Sequence, residues 1–168
     1  MHRHFQMFAD YNLWANRRIY AACAALTEAE YRADKGAFFG SAYRTLNHLL
    51  VADRIWMKRL SGTGDAPTAL DTILHDDFSG LREARESEDK RIVDWLDGLT
   101  EAAFAAPVSY TTTEGVAFTQ PLGSVLAHVF NHQTHHRGQV HTILTALGKP
   151  SMVLDLIRFL RTDGARWQ

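Results

Sequence analysis

The sequence predicts an all-α fold, an up-down bundle of four long helices with a short fifth helix near the C-terminal end. Three observations predict it. Apolar and aromatic residues recur at spacings of three and four over most of the chain, the period of a helix with one buried face. Each such stretch is bounded by residues that start or stop helices. The connections are longer than tight turns, and no internal repeat or low-complexity segment points to another architecture. At 168 residues the chain has the length of one domain and can bury a core without disulfides.

The elements follow in order. From Phe5 to about Leu26, FQMFADYNLWANRRIYAACAAL runs without Gly or Pro and forms the first long helix. Thr27 with Glu30 is a capping-box pattern, which predicts a short helical turn before Gly36 and Gly40 break the run. Ser41 is the N-cap of a second long helix, SAYRTLNHLLVADRIWMKRL, with Lys58 and Arg59 in its last turn and Gly62 and Gly64 beyond. After the connector GTGDAPTAL, a third helix is expected from about Leu70 to Leu99, with Gly80 as an irregularity near its start. Its charged middle reads as a solvated face laced by pairs at helical spacing. Between Thr100 and Gln120, VSYTTTEGVAFTQ predicts an irregular loop or a small hairpin around Glu114-Gly115. Pro121 is expected in the first turn of the fourth long helix, which Gly148-Lys149-Pro150 closes, and MVLDLIRFLR forms the short fifth.

Composition narrows the partners. Lys plus Arg is 18 and Asp plus Glu is 19, a formal net charge of -1, and no basic block or basic-aromatic alternation marks a nucleic-acid groove. The one cysteine, Cys23, cannot form an internal disulfide, and in YAACAAL it reads as core packing rather than as a nucleophile. The opening MHRHFQMFADYN lacks the apolar run of a signal peptide, so a reducing cytoplasm is the expected setting. No run of about 18 apolar residues exists, and no membrane span is expected.

Chemistry concentrates in HVFNHQTHHRGQVH, residues 128 to 141, which holds five of the nine histidines. With about 100° per residue and His132 taken as zero, Val125, Val129, Val140, Ile143 and Leu147 fall between about 20° and 80°. His136 falls at about 40°, within that apolar stripe; His128 at about 320° and His135 at about 300° lie on its border; His141 at about 180° faces the other way, to the surface. Residues four apart on a helix have Cβ atoms roughly 5 to 6 Å apart, so His132 and His136 can converge on one ion. His48, among Leu49, Ala52, Ile55 and Trp56, is the natural third ligand from the second helix, although a lone histidine on an apolar face is more often a core residue. Three imidazoles leave a coordination position open, as in catalytic rather than structural sites.

Other metal chemistries fit poorly. HQTHH has Gln133 and His135 where the zinc-protease motifs place the general-base glutamate. Di-iron bundles need Glu-x-x-His on paired helices, and Ala127 and Val129 flank His128. Arg137 and Gln139 read either as groups that orient neighbours of the site or as a surface ion pair and a hydrogen bond to a facing helix.

YNLWANRR in the first helix, SAYRTLNHLLVADRIWMKRLSG in the second, and PLGSVLAHVFNHQTHHRGQVHTILTALG followed by LDLIRFLR resemble the DinB-like family, four-helix-bundle metal-dependent proteins of the DinB/YfiT type. The resemblance runs almost end to end. It implies one divalent ion, commonly zinc or nickel, held by a histidine of the second helix and a His-x-x-x-His pair of the fourth. Those positions are His48, His132 and His136. It further implies a homodimer, and an enzyme that uses the ion to activate the thiol of a small cosubstrate such as glutathione, bacillithiol or mycothiol towards an electrophile. The competing expectation is a metal-binding or stress-response module without turnover. A fourth protein ligand would favour the module; His128, His135 and Asp53 are the nearby candidates, each with a surface explanation that ranks above it.

Overall fold

A computed structural model describes residues 1–168. The long helices are α1 (His2–Cys23), α3 (Ala42–Ser61), α4 (Phe78–Asp97) and α5 (Leu122–Ala146). Between them lie a short α2 (Glu28–Arg32) and the strands β1 (Pro107–Thr111) and β2 (Ala117–Pro121); α6 (Leu156–Arg161) follows α5. The all-α bundle read from the sequence is present. No helix is long and apolar enough to cross a membrane.

Local signals set most boundaries. Thr27 and Glu30 form the full capping box of α2, and the Ser41 hydroxyl accepts from the amide of Arg44 at the start of α3. Gly62 ends α3 in the left-handed conformation, φ 72°, which glycine adopts without a Cβ penalty. Of the two readings of the segment after α4, the hairpin is the one observed: β1 and β2 pair antiparallel from Pro107 opposite Pro121 to Thr111 opposite Ala117. Pro121 is the last residue of β2 and the residue before α5, rather than a first-turn residue.

The helices neighbour one another in the cyclic order α1, α4, α3, α5. Their directions follow from their contacts. Asn16 meets Asp89 while Gln6 meets Asp97, so α1 and α4 are antiparallel. Asp53 meets Arg85 while Ser61 meets Arg91, so α3 and α4 are parallel. The bundle therefore runs up, down, down, up, and the up-down order expected from the sequence is corrected between α3 and α4. Two parallel consecutive helices require a connection that returns the full length of the bundle, and residues 62 to 77 are that strap.

The strap corrects the expected start of the third helix. Residues 70 to 77 are not helical; α4 begins at Phe78, where Asp77 caps the amide of Gly80, so Gly80 is a capped first-turn residue rather than an irregularity. Asn47 of α3 supplies the reason. Its side-chain oxygen accepts from the amides of Leu74 and His75 and its NH₂ donates to the His75 carbonyl, satisfying strap backbone that a helix would have paired internally. The first helix also differs at its ends, running from His2 to Cys23 rather than from Phe5 to Leu26.

The charged middle of α4 is a second correction. Arg82 with Glu86 and Lys90 with Asp94 do form surface pairs, but Arg85, Glu88 and Asp89 are buried. They lie on the face Leu81, Arg85, Glu88, Asp89, Ile92, Leu96, whose recurrence at three and four is that of the core side of a helix. Arg85 stands 2.8 Å from Asp53 and 3.0 Å from Asp89. Asn16 of α1 donates to Asp89 at 2.9 Å, and the buried Arg137 of α5 donates to Asn12 and Asn16. Arg137 is thus an interior anchor, neither a surface ion pair nor a neighbour of an ion.

Replacing Arg85 with Met should destabilise the protein by about 3–5 kcal/mol in urea unfolding, because two buried carboxylates lose their counter-charge. Arg82→Met should change stability by no more than about 0.5 kcal/mol. Equal effects would show that the interior pairs carry no special weight.

Candidate metal centre

α3 and α5 pack side by side and antiparallel, which brings His48 opposite His132 and His136. One ring nitrogen of each lies within 4.8 Å of the others, so the trio could hold a metal ion. His48 Nε2 and His132 Nε2 are 3.2 Å apart. Two imidazole nitrogens bound to one tetrahedral zinc at about 2.0–2.1 Å are separated by about 3.3 Å. The spacing suits the ion.

Hydrogen bonds fix which nitrogen is free. His48 Nδ1 lies 2.9 Å from the Leu70 carbonyl, which can only accept, so that nitrogen carries the proton and Nε2 presents a lone pair. His136 Nδ1 likewise donates to Gln139 Oε1 at 2.8 Å. Both partners do what outer-shell groups do at metal sites, setting tautomer and ring orientation. The Leu70 carbonyl is available because the strap is not helical: a helix starting there would commit it to the amide of Leu74, which instead bonds Asn47. Phe39, from the loop before α3, stacks on His48 with ring centroids 4.0 Å apart.

Electrostatics keep the rings neutral. Burial, reinforced by the charges of His136, His48, His128 and His135, pushes His132 down to about 3. Burial also lowers His48 against the pull of the Leu70 carbonyl, and lowers His136 against that of Gln139. Two of the three imidazoles have a proton fixed on Nδ1, and His132 can share its own with His48 across the 3.2 Å between their Nε2 atoms; kept neutral, the trio suits a cation whose ligands must be deprotonated.

None of the three candidate fourth donors joins the cluster of ring nitrogens, although the rings of His128 and His135 adjoin it, 5.9 Å from His132 and 4.8 Å from His136 between centroids. Asp53 is paired with Arg85 in the interior; His135 is exposed, with Nε2 taking the Gln139 amide at 3.3 Å; exposed His128 packs on Trp56, ring centroids 5.3 Å apart. His141 points away from the trio, as expected, but is half-buried and held by Ser151 Oγ at 3.0 Å rather than free on the surface. Cys23 is buried, and burial pushes its thiol up to about 12, so it packs and does not attack. Of the outer groups, Gln139 had a sequence signal, its place one turn after His136. Leu70 and Phe39 had none, because a loop carbonyl and a loop ring acquire these roles only through the path of the chain.

A four-helix bundle with an inward trio of histidines on two adjacent helices defines a class of candidate metal-binding protein. The model of the DinB family matches residues 1–167, and the chain belongs to that family. Among curated proteins, it is 26% identical over 156 residues to Protein DinB of Bacillus subtilis (strain 168), an alignment covering 87% of each chain.

A pH dependence follows for the metal-free protein. The folded-state pKa values of His48, His132 and His136 are depressed, so the unfolded chain takes up protons first as pH falls below about 6.5. Stability present above that value should decline with acid, each ring adding up to about 1.4 kcal/mol per pH unit until its folded pKa is reached. Unfolding measured from pH 7 to pH 5 should show a steeper loss for the wild type than for His132→Ala; parallel profiles would contradict the burial of a neutral ring.

Proposed function

We propose that the protein is a metal-dependent small-molecule enzyme of the thiol-transferase type, binding one divalent ion, zinc or nickel, through His48, His132 and His136. The observation that carries this reading is the set of three histidines, each with a ring nitrogen within 4.8 Å of the other two, and with no further His, Cys, Asp or Glu in the cluster. Such a set leaves a coordination position for water or substrate. A divalent ion in that place supplies Lewis acidity, which lowers the pKa of a thiol beside it and provides a nucleophile at neutral pH. The chain's own groups prepare the site. Leu70 and Gln139 keep protons on Nδ1 of His48 and His136, and Phe39 covers one face of His48. The reaction class is attack of a small cosubstrate's intact thiolate on an electrophilic carbon: a carbon–sulfur bond forms, the thiol proton passes to solvent, and the electrophile's leaving group or π-electron pair is displaced.

Elemental analysis after purification without chelator should find one divalent ion per chain. His132→Ala should abolish binding and His141→Ala should leave it unchanged; protein that stays metal-free after incubation with zinc and nickel would refute the reading. Assays of metal-loaded protein with several low-molecular-weight thiols and a generic electrophile test turnover. A stoichiometric ion with no turnover would mark a non-catalytic metal-binding module instead.

Because the ion would tie α3 to α5, a chelator should lower the melting temperature of the loaded protein by ligand linkage. Helical circular dichroism should survive stripping, since leucines 46, 49, 50, 81, 126 and 144 are fully buried without help from a metal. Loss of helix on stripping would make the ion structural, and an unchanged melting temperature would leave it uncoupled from folding.

A further inference from the structure

A row of rings runs from the histidines along the seam between α3 and α5. His132 to His128 is 5.9 Å between centroids, His128 to Trp56 is 5.3 Å, and Trp56 to Tyr110 of the hairpin is 5.0 Å. At the far end stands Arg59. Its guanidinium lies 4.7 Å from the Trp56 ring and 5.4 Å from the Tyr110 ring. Arg85 and Arg91 on the adjacent helix each reach a carboxylate. No carboxylate lies within ion-pair distance of Arg59, and its side chain makes no hydrogen bond to protein. Cation–π contact with two rings holds the guanidinium in place while its N–H donors have no acceptor in the protein.

We propose that Arg59, on the shelf made by Trp56 and Tyr110, is an anion subsite that takes the carboxylate of an elongated substrate or cosubstrate whose other end reaches the three histidines. The inference rests on the function proposed above and adds the chemistry of the molecule's remote end. Arg59 is eleven residues beyond His48 on α3, on the order of 16 Å along the axis. An extended peptide chain covers at most about 3.5 Å per residue, and the arginine side chain can lean back along the seam. The molecule is therefore the length of a short peptide of three or four residues, with its anionic group at the end away from the reacting one. A planar guanidinium matches a carboxylate by paired N–H···O bonds, which a lysine cannot reproduce.

Calorimetry on the zinc-loaded protein tests this with N-acetyl-Cys-Gly-Gly and N-acetyl-Cys-Gly-Gly-Gly, each as the free acid and as the C-terminal amide, and each as the thiol and as the S-methyl derivative. For wild type, the better-fitting acid should bind at least about tenfold more tightly than its amide, the scale of a hydrogen bond to a charged group. Arg59→Gln should bring that ratio to about one, and Arg59→Lys should retain only part of it. A ratio near one in wild type, a ratio that survives in Arg59→Gln, or no binding of any peptide would overturn the subsite. The thiol-to-S-methyl ratio reports separately on the function proposed for the histidines. Loss of that ratio with the acid preference intact sinks the thiol chemistry and keeps the Arg59 subsite.

Discussion

The register of the four long helices rests on one buried set of charges and amides. Arg85 of α4 sits between Asp53 of α3 and Asp89 of its own helix, Asn12 and Asn16 of α1 meet Asp89, and Arg137 of α5 reaches the same two asparagines. Buried ion pairs add little net stability over apolar residues of similar size, but breaking one is expensive. Sliding any one helix by a turn, about 5.4 Å, would strand a charge inside. His136 is adjacent in sequence to Arg137, and His48 precedes Asp53 by five residues. Once the network is aligned, the imidazoles are aligned too.

Direction matters as much as register. Because α3 and α4 run parallel, the chain has to travel the length of the bundle between them, and the strap runs along α3 past Asn47 and His48. Asn47 pins it there and leaves the Leu70 carbonyl facing His48. The strap thereby decides the tautomer of a side chain far from it in sequence. Gln139 does the same for His136 from within α5, one turn along. Two of the three rings are thus held with Nε2 free, and the neutrality of the trio comes from burial and mutual repulsion rather than from any acidic neighbour.

Membership of the DinB family and the geometry of the trio are separate observations: the family match spans residues 1–167, and the trio comes from the packing of α3 on α5. The bundle supplies two rigid helices, so the imidazoles need no loop to place them. What touches them from outside those helices is irregular: Phe39 from one loop and Leu70 from the strap. Rigid elements carry the candidate ligands, and the connections shape the approach to them.

The amino-acid pattern by itself determined the all-α class, the long helices, the capping box at Thr27 and the inward faces of His132 and His136, because these depend on spacings of three and four within one segment. It also held, unread, the inward stripe of α4, where Arg85 and Asp89 occupy core positions but look like surface charges by type. Only the tertiary structure decided that those charges are neutralised across helices, that residues 70 to 77 form a strap, and that Asp53 belongs to Arg85 rather than to the histidines. Each of these turns on a partner supplied by a different helix. A side chain's spacing fixes the face it occupies, but what it meets there depends on which helix packs against that face and at what height.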